Sequence, residues 1–242
     1  MSESLRVLLR HLIDYAGLFP PAGLTMPDAV RHYARYREGE YAWALGKFIV
    51  PEARANEVPS EFPLSVLGVD EVKATTEEEL ARFAPGTYVE IVDLGLLDAF
   101  RSHGLRAKIR TGGVTPEAFP AVPDIAKFLR ACKAKGVAFK ATAGLHHPVR
   151  CVKPLTYEPD APTGTMHGFL NVFLAAAMLD HAEAVLEEKD PWAFSFDDEG
   201  VTWRDQSVST AALTLLRRDF AISFGSCSFE EPIEDLRELG WL

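Results

Sequence analysis

The chain has 242 residues, of which 48% are hydrophobic and 25% are charged, and its formal net charge is −10. This length and composition are typical of a globular protein with a substantial core, built as one large domain or two small ones. The acidic balance argues against a general nucleic-acid binder or an anionic-membrane binder, because both require a basic surface.

The three cysteines, Cys132, Cys151 and Cys227, are far apart, and none belongs to a CxxC pair. This usage is typical of reduced thiols in a cytoplasmic protein rather than of a disulfide framework or a zinc site. The N-terminal stretch lacks the apolar core of a signal peptide, and the longest apolar stretch (168–179) is too short to span a bilayer. We therefore expect a cytoplasmic protein without a membrane anchor. The sequence leaves the oligomeric state open, a homo-oligomer included.

Eight short apolar runs predict strands, and segments of helical character separate them. The runs are HLIDYAG (11–17), AWALGKFIV (42–50), FPLSVLGV (62–69), TYVEIVDL (87–94), LRAKIRT (105–111), VAFKATAG (137–144), WAFSF (192–196) and FAISFGS (220–226). This alternation predicts an α/β fold, a single-domain (β/α)8 TIM-type barrel over residues 1–242. An open doubly wound sheet is disfavoured, since DYAGLFPPAG after the first run is not a GxGxxG turn.

Capping residues mark the starts and ends of several predicted helices. Thr25 precedes MPDAVRHYARYR, and Thr75 with Glu78 forms a predicted capping box before EEELARFA. Thr115 and the proline after it open a helix that Gly136 ends. The connection PEARANEVPSE is short and bounded by prolines, so we expect only a degenerate helix there.

One connection is much longer than the others. Residues 145–166, after the sixth predicted strand, are rich in Pro, Thr and Asp and contain no predicted element. Loops of this length inside a compact domain are usually functional or disordered. A loop that follows a strand lies on the C-terminal face of a barrel, where active sites are found. The sequence therefore places the working end of the protein at this loop.

Side chains alternate along a strand, so one register faces the barrel interior and the other faces the helices. In TYVEIVDL, Val89 and Ile91 suit the helix side. The predicted inward-facing side chains are Tyr88, Glu90, Lys108, Arg110, Lys140, Thr142 and Ser223. Buried charges persist only when they are paired or when a bound anion completes them. Burial beside other cations lowers the pKa of a lysine, and the resulting neutral amine can attack a carbonyl group. Alternatively, the inward lysines and Glu90 could form ion pairs with a purely structural role.

The stretch KIRTGG, starting at Lys108, and the later stretch KATAGL, starting at Lys140, together resemble the class I aldolases of the deoxyribose-phosphate aldolase type. That family carries a Schiff-base lysine in Lys-Thr-Ser-Thr-Gly and a second lysine, in Lys-Ala-Ser-Gly-Gly on the next strand, which depresses the pKa of the first. The resemblance implies that Lys108 is the Schiff-base lysine and Lys140 its activating neighbour. Arg110 stands where the family has a small residue. By the strand count above, the two lysines lie on the fifth and sixth strands, one earlier than in the family.

Three histidines flank the long loop, because His146 and His147 begin it and His167 ends it. One of them could transfer a substrate proton. Alternatively His146, His147 and His167 could bind a divalent metal with a carboxylate such as Glu52, although no HxH or HExxH spacing is present. Asn171 lies one helical turn after His167, where it either bonds substrate or holds the loop.

The last predicted strand leads into Gly225-Ser226-Cys227-Ser228 and then into a helix that starts near Glu230. This arrangement suits an anion cradle at the barrel mouth. In the competing interpretation, Ser228 only caps an acidic first helical turn. The sequence ties no single histidine to Cys227, so a nucleophilic role for this thiol ranks low.

Our leading hypothesis is a lyase of the class I aldolase kind that acts on a small anionic carbonyl or carboxylate metabolite, phosphorylated forms included, without a cofactor. The expected catalytic residues are Lys108, Lys140, Glu90, His146 and His147. The expected substrate-binding residues are Arg110, Thr111, Thr142, His167, Asn171, Ser223, Gly225 and Ser226. A metal-dependent hydrolase or isomerase is the first alternative, and a non-catalytic, barrel-shaped binding protein is the second.

Overall fold

The computed structural model describes residues 1–90 and 93–242. Within these ranges, eight parallel strands close into a barrel with interleaved helices, which is the predicted (β/α)8 TIM-type architecture. Barrel closure is made by the first and last strands of the chain, Ile13–Tyr15 and Ala221–Ser226, which pair in parallel. Among the described residues, no helix has the length and apolar character that crossing a membrane requires.

The strands in chain order are β1 (Ile13–Tyr15), β2 (Leu45–Pro51), β3 (Leu64–Leu67), β4 (Glu71–Lys73), β5 (Tyr88–Glu90), β6 (Arg106–Arg110), β7 (Phe139–Thr142), β8 (Cys151–Pro154), β9 (Thr163–Met166), β10 (Phe194–Phe196), β11 (Gly200–Trp203), β12 (Gln206–Ser209) and β13 (Ala221–Ser226). The barrel has the spatial order β1-β13-β7-β6-β5-β4-β3-β2. Seven of the predicted strands therefore belong to it. The predicted strand at 87–94 reaches past the described residues, and Ile91 lies outside them.

The helices are α1 (Glu3–Leu9), α2 (Met26–Glu38), α3 (Glu77–Leu80), α4 (Leu97–Ser102), α5 (Val122–Lys135), α6 (Phe169–Ala177), α7 (Ala182–Glu187), α8 (Thr210–Asp219) and α9 (Glu230–Glu238). Thr25 caps α2 as predicted, because its side chain accepts a hydrogen bond from the backbone N–H of Asp28. Gly136 ends α5 in a left-handed conformation, with φ of 65°. The predicted degenerate helix after β2 is a 3-10 helix, Glu52–Glu57.

Two strand assignments from the sequence need correction. The segment 192–196 is not a barrel strand, since β10 pairs antiparallel with β11 in a separate three-stranded sheet. The missing barrel strand is β4, which follows β3 after three residues and contacts it at Leu67 and Glu71. A three-residue strand with charged first and last positions carries too little apolar pattern to be recognised. The strand count therefore shifts, and Lys108 and Lys140 lie on the sixth and seventh strands.

Two local predictions also shift. The capping box lies one residue later than predicted, on Thr76 and Glu79, because these side chains exchange the hydrogen bonds with the first turn of α3. The helix expected to start at Thr115 begins with a 3-10 turn at Pro116–Ala118, and the α-helical part starts only at Val122. The predicted long loop 145–166 follows the seventh strand instead of the sixth. Part of it is a hairpin made of β8 and β9.

The predicted alternation of side chains holds on the barrel strands. Residues of the helix-facing register are fully buried in the hydrophobic core: Val89, Ala107, Phe139, Ala141 and Phe224. This apolar layer lies between the barrel and the helices, and it fixes the register of each strand because a shift by one residue would expose it. The opposite register, with Lys108 and Lys140, therefore faces the barrel interior.

One buried tyrosine hydroxyl provides a test of the core. Among the described side chains, the hydroxyl of Tyr15 is buried without a hydrogen-bond partner, whereas the hydroxyl of the neighbouring Tyr33 donates to the carbonyl oxygen of Gly46 at 2.6 Å. An unpaired buried polar group is unfavourable, whereas a made hydrogen bond stabilises by about 1 kcal/mol. We expect Tyr15→Phe to leave the free energy of unfolding unchanged or to raise it, and Tyr33→Phe to lower it by about 1 kcal/mol. Urea unfolding measures both; a loss for Tyr15→Phe equal to that for Tyr33→Phe would contradict the assignment.

Candidate functional site

The barrel interior holds a buried cluster of charges centred on Lys140, whose side chain is 1% exposed. The Nζ of Lys140 lies 2.8 Å from Oδ2 of Asp14 and 2.6 Å from Oε1 of Glu71. Strand β1 supplies Asp14 and strand β4 supplies Glu71, so the contacts cross the interior from Lys140 on β7. The buried charge of Lys140 is therefore paired, as burial of an ammonium group requires.

Lys108, on β6, is the second lysine of this cluster and lies beside Lys140 of β7. Its Nζ is 3.3 Å from Oε2 of Glu71 and 3.6 Å from Oε2 of Glu90. Arg110, at the end of the same strand, reaches Oε1 of Glu90 at 3.8 Å from Nε, and its side chain is half exposed. Glu71 and Glu90 therefore link Lys140, Lys108 and Arg110 into one chain of contacts.

The pKa of Lys140 differs from the expected direction. Burial alone would lower the pKa of its ammonium group, but the adjacent carboxylates of Asp14 and Glu71 outweigh burial and raise it. For Glu71, burial raises the pKa of the carboxyl, and the ammonium groups of Lys140 and Lys108 outweigh this and lower it. Lys140 is therefore a fixed cation and not a neutral amine.

Hydroxyl groups and a glycine complete the cluster. Ser65 donates to Oε1 of Glu71 at 2.7 Å, and Ser223 donates to Oδ2 of Asp14 at 2.7 Å. The other oxygen of Asp14, Oδ1, accepts the backbone N–H of Lys47 at 2.7 Å. A Cβ atom on Gly46 would lie 2.2 Å from the same oxygen, so the residue before Lys47 must lack a side chain.

Two cavities lie at opposite ends of the barrel. The upper cavity, of about 360 Å³, lies at the carboxyl ends of the strands and is lined by Lys108, Arg110, Thr142, Gly225, His146 and Cys227, among others. The lower cavity, of about 490 Å³, lies at the amino ends and is lined by Lys140, Asp14 and Ser223, among others. Lys140 therefore does not share the upper cavity with Lys108 and Arg110. Since Glu71 lines the upper cavity and contacts both lysines, it joins the two ends of the cluster.

A thiol and an imidazole meet at the edge of the upper cavity. Nε2 of His146 lies 3.8 Å from Sγ of Cys227, and Nδ1 of His146 lies 2.8 Å from Oε2 of Glu231 on α9. A carboxylate can only accept, so Nδ1 carries the proton in this second contact. Burial would lower the pKa of His146, but its hydrogen bonds with Cys227 and Glu231 raise the pKa to about 10. The same oxygen of Glu231 accepts the hydroxyl of Tyr157, from the hairpin, at 2.9 Å.

The other two histidines of the loop lie apart from this group. Nδ1 of His147 donates to Oδ2 of Asp235 at 2.6 Å. The ring of His167 is fully buried between Arg150, 2.8 Å from Nδ1, and the carbonyl oxygen of Pro120, 2.9 Å from Nε2. Burial lowers the pKa of His167 to about 4, and Arg150 contributes to this shift. Neither histidine lines the upper cavity.

The structure does not bring the predicted metal ligands together. His146, His147 and His167 have separate partners, and Glu52 lies in the 3-10 helix that follows β2. Within residues 1–90 and 93–242, no group of three or more His, Cys, Asp or Glu side chains is arranged to hold a metal ion.

Asn171 holds the chain instead of facing a cavity. Its Oδ1 accepts the backbone N–H of Arg150 at 2.8 Å, and its Nδ2 donates to the carbonyl oxygens of Val185 and Glu188 at 2.7 and 2.9 Å. Of the two roles considered for Asn171, this geometry shows the structural one. It fixes the start of the hairpin to the helical layer.

The paired Thr-Gly segments after β6 and β7 also have a structural basis. The hydroxyl of Thr111 donates to the carbonyl oxygen of Ala143 at 2.7 Å, and Thr111 is fully buried, so it lies outside the cavity lining. A Cβ atom on Gly144 would lie 2.7 Å from the Cα atom of Gly112, so the two loops approach too closely for side chains. Thr142, at the end of β7, lines the upper cavity.

The segment after β13 is a helix cap. The hydroxyl of Ser228 accepts the backbone N–H of Glu231 at 3.1 Å, as the capping interpretation expects. Ser226 is buried, and its hydroxyl accepts the backbone N–H of Ser228 at 3.4 Å. Gly225 lines the upper cavity, and Ser223 lines the lower one.

Sequence reasoning missed or underrated five residues of the site: Asp14, Glu71, Cys227, Glu231 and Tyr157. A signal for Glu71 was present, because two inward lysines require more carboxylate than Glu90 alone supplies. The link between Cys227 and His146 spans 81 residues and carries no motif, so only the fold reveals it.

Comparison of the chain with protein-family models, with curated proteins and with solved structures gives no match.

Proposed function

We propose that this barrel is an enzyme of the Schiff-base lyase kind, which acts in the upper cavity on a small anionic carbonyl or carboxylate compound. The observation that carries this proposal is the position of Lys108. Its side chain is 8% exposed and lines the upper cavity, while it shares the carboxylate of Glu71 with the fixed cation Lys140.

Lys108 is the better of the two lysines for covalent chemistry. Lys140 is paired with Asp14 and Glu71 and lines only the lower cavity, so its amine does not reach a substrate in the upper cavity. Its ammonium group lies beside Lys108 on the neighbouring strand and shares the carboxylate of Glu71 with it. In this proposal Lys108 is the nucleophile and Lys140 is its activating neighbour.

The remaining groups of the upper cavity suit an anionic carbonyl compound. Arg110 offers a half-exposed guanidinium group at the cavity wall, which is well suited to a carboxylate or a phosphate. The carboxylate of Glu90, 3.6 Å from Lys108, accepts the proton that the amine loses when it adds to the carbonyl carbon. The carbonyl oxygen leaves as water, and the protonated imine then withdraws electrons from the adjacent carbon–carbon bond. This chemistry requires no cofactor.

The corrected strand count is consistent with the aldolase resemblance. The strand count from the sequence omitted β4 and so put Lys108 and Lys140 on the fifth and sixth strands. With β4 included they lie on the sixth and seventh strands, as in that family. Arg110 still stands where the family has a small residue, and in this proposal it supplies the anion-binding wall of the upper cavity.

Reductive trapping tests the proposal. The purified protein is treated with sodium borohydride in the presence of a panel of 2-oxo acids and phosphorylated aldehydes, and the peptides are examined by mass spectrometry. We expect a reduced adduct on Lys108, and none on Lys140 because its amine is paired with two carboxylates and lies outside the upper cavity.

The matched variants are Lys108→Met and Lys73→Met. Lys73 lies on β4 and also contacts Glu90, at 3.4 Å, but its side chain is 74% exposed. We expect Lys108→Met to abolish the adduct and Lys73→Met to keep it. Absence of any adduct across the panel, or equal trapping in Lys108→Met, would refute lysine chemistry in this cavity.

A further inference from the structure

The Cys227–His146–Glu231 group lies at the edge of the upper cavity, and the lysine chemistry does not use it. Cys227 and His146 both line this cavity, together with Arg110. Sγ of Cys227 lies 3.8 Å from Nε2 of His146, and Nδ1 of the same imidazole lies 2.8 Å from Oε2 of Glu231. A nucleophile, a base and a group that orients the base form the arrangement required for covalent catalysis.

We propose that Cys227 is a catalytic nucleophile that attacks the acyl carbon of a small ester or thioester bearing an anionic group. His146 is its general base, and Glu231 is the positioning residue that orients the imidazole. Arg110 binds the anionic group of the substrate on the wall of the same cavity. The activity is hydrolytic and is distinct from the lysine chemistry.

The reaction is balanced with groups that are present and with water. Nε2 of His146 holds the proton of the Cys227–His146 pair when substrate binds, the sulfur adds to the acyl carbon, and a carbon–sulfur bond forms. The bond to the leaving alcohol or thiol breaks, and this group departs with the proton from the imidazolium. Water then attacks the thioester while His146 accepts its proton. A carboxylic acid is released, and Cys227 is free for the next reaction.

Hydrogen bonds fix the position of Glu231, the carboxylate that contacts His146. Glu231 is held by the imidazole on one side and by the hydroxyl of Tyr157 on the other, at 2.9 Å. The S···N separation of 3.8 Å is long, as catalytic hydrogen bonds often are before substrate binds. The adjacent His147 instead contacts Asp235, so the two neighbouring imidazoles have different partners.

The chain contains two internal reference thiols. Burial raises the pKa of Cys132 to about 12 and that of Cys151 to about 11. Cys151 is more exposed than Cys227, which is 6% exposed, so accessibility alone predicts that Cys151 reacts first. An activated Cys227 reverses this order, because the thiolate is the reactive form.

The first measurement is the rate of alkylation by iodoacetamide at pH 7, followed for each cysteine peptide by mass spectrometry. We expect Cys227 to react at least about tenfold faster than Cys151 and Cys132. His146→Gln should slow Cys227 by at least about tenfold. Glu231→Gln should slow it as well, whereas the matched variant His147→Gln should leave its rate within about twofold. If His146→Gln does not fold, the wild-type order of the three cysteines and the Glu231→Gln rate decide. Faster labelling of Cys151, or no effect of Glu231→Gln, overturns the proposal.

The second measurement uses the p-nitrophenyl monoester of succinate as a probe. We expect a burst of p-nitrophenol and an acyl group on Cys227, both lost in Cys227→Ser. The same assay on Lys108→Met separates the two proposals, because the burst should persist there while borohydride trapping is lost. An acyl group found only on other residues, or no burst in wild type, refutes the thiol centre and leaves the lysine chemistry untouched.

Discussion

Replacement of Lys140 by methionine is expected to lower the free energy of unfolding by about 3–5 kcal/mol. The methionine side chain fits the volume of the lysine stem but leaves the buried carboxylate of Asp14 without its cation and that of Glu71 with Lys108 alone. Breaking a buried ion pair from one side is far more costly than losing its attraction, because the remaining charge stays desolvated. Urea unfolding at neutral pH, monitored by circular dichroism, measures this loss.

Lys135→Met is the matched control for Lys140→Met. Its Nζ also contacts two carboxylate oxygens, both from Asp98, at 2.7 and 2.8 Å, but this pair lies at the surface. Exposed pairs contribute at most about 1 kcal/mol, so we expect a loss below that value. Similar losses for the two variants would show that Lys140 is solvated and would remove the fixed cation from the barrel interior.

This expectation separates stability from chemistry at the two lysines. A protein that uses its barrel only for binding would be expected to tolerate the loss of both. The geometry instead predicts a large stability loss for Lys140→Met whatever the activity is, so inactivity of this variant says little about catalysis. Lys108 is the informative position, since it lines the upper cavity and has the weaker contacts, at 3.3 and 3.6 Å.

Asn171→Ala is expected to lower the free energy of unfolding by about 3 kcal/mol, since three buried hydrogen bonds of about 1 kcal/mol each are lost. The substitution leaves the backbone N–H of Arg150 and the carbonyl oxygens of Val185 and Glu188 without their partner. The start of the hairpin then loses its attachment to α6. Faster amide hydrogen exchange in 150–166 than in the barrel strands would show this directly.

The second asparagine of the chain provides the control. Asn56 is exposed in the 3-10 helix after β2, so Asn56→Ala should change stability by less than about 0.5 kcal/mol. If Asn171→Ala were as mild as Asn56→Ala, the hairpin would be held by other contacts. A loss of substrate binding without loss of stability would instead support the discarded role of Asn171 as a substrate ligand.

The barrel could be predicted from the sequence because its signals are local. Each of the seven recognised strands has an apolar register of its own, and burial of that register decides which side chains face inward, Lys108 and Lys140 among them. Strand β4 could not be recognised from the sequence because Val72, between Glu71 and Lys73, is its only apolar residue. The same three residues form a strand only because β3 and β5 flank them in the closed barrel.

The partners of the functional groups could not be predicted, because they depend on barrel closure. Lys140 is separated along the chain from Asp14 by 126 residues and from Glu71 by 69. Nothing local tells a lysine which carboxylate it will meet, although the need for a carboxylate is predictable. His146 was correctly selected as a functional candidate, but its contacts with Cys227 and Glu231 depend on where α9 packs.

The pairing of β1 with β13 has a consequence for synthesis of the protein. Asp14 and Lys140 of the buried cluster lie on β1 and β7, and β13 is the strand between them. A ribosome-bound chain that has not yet released this last strand leaves Asp14 on one open edge of the sheet and Lys140 on the other, without the contact between them. The contact of Asp14 with Lys140 therefore depends on insertion of β13, so a chain that stops before Ala221 lacks the strand that brings the two together.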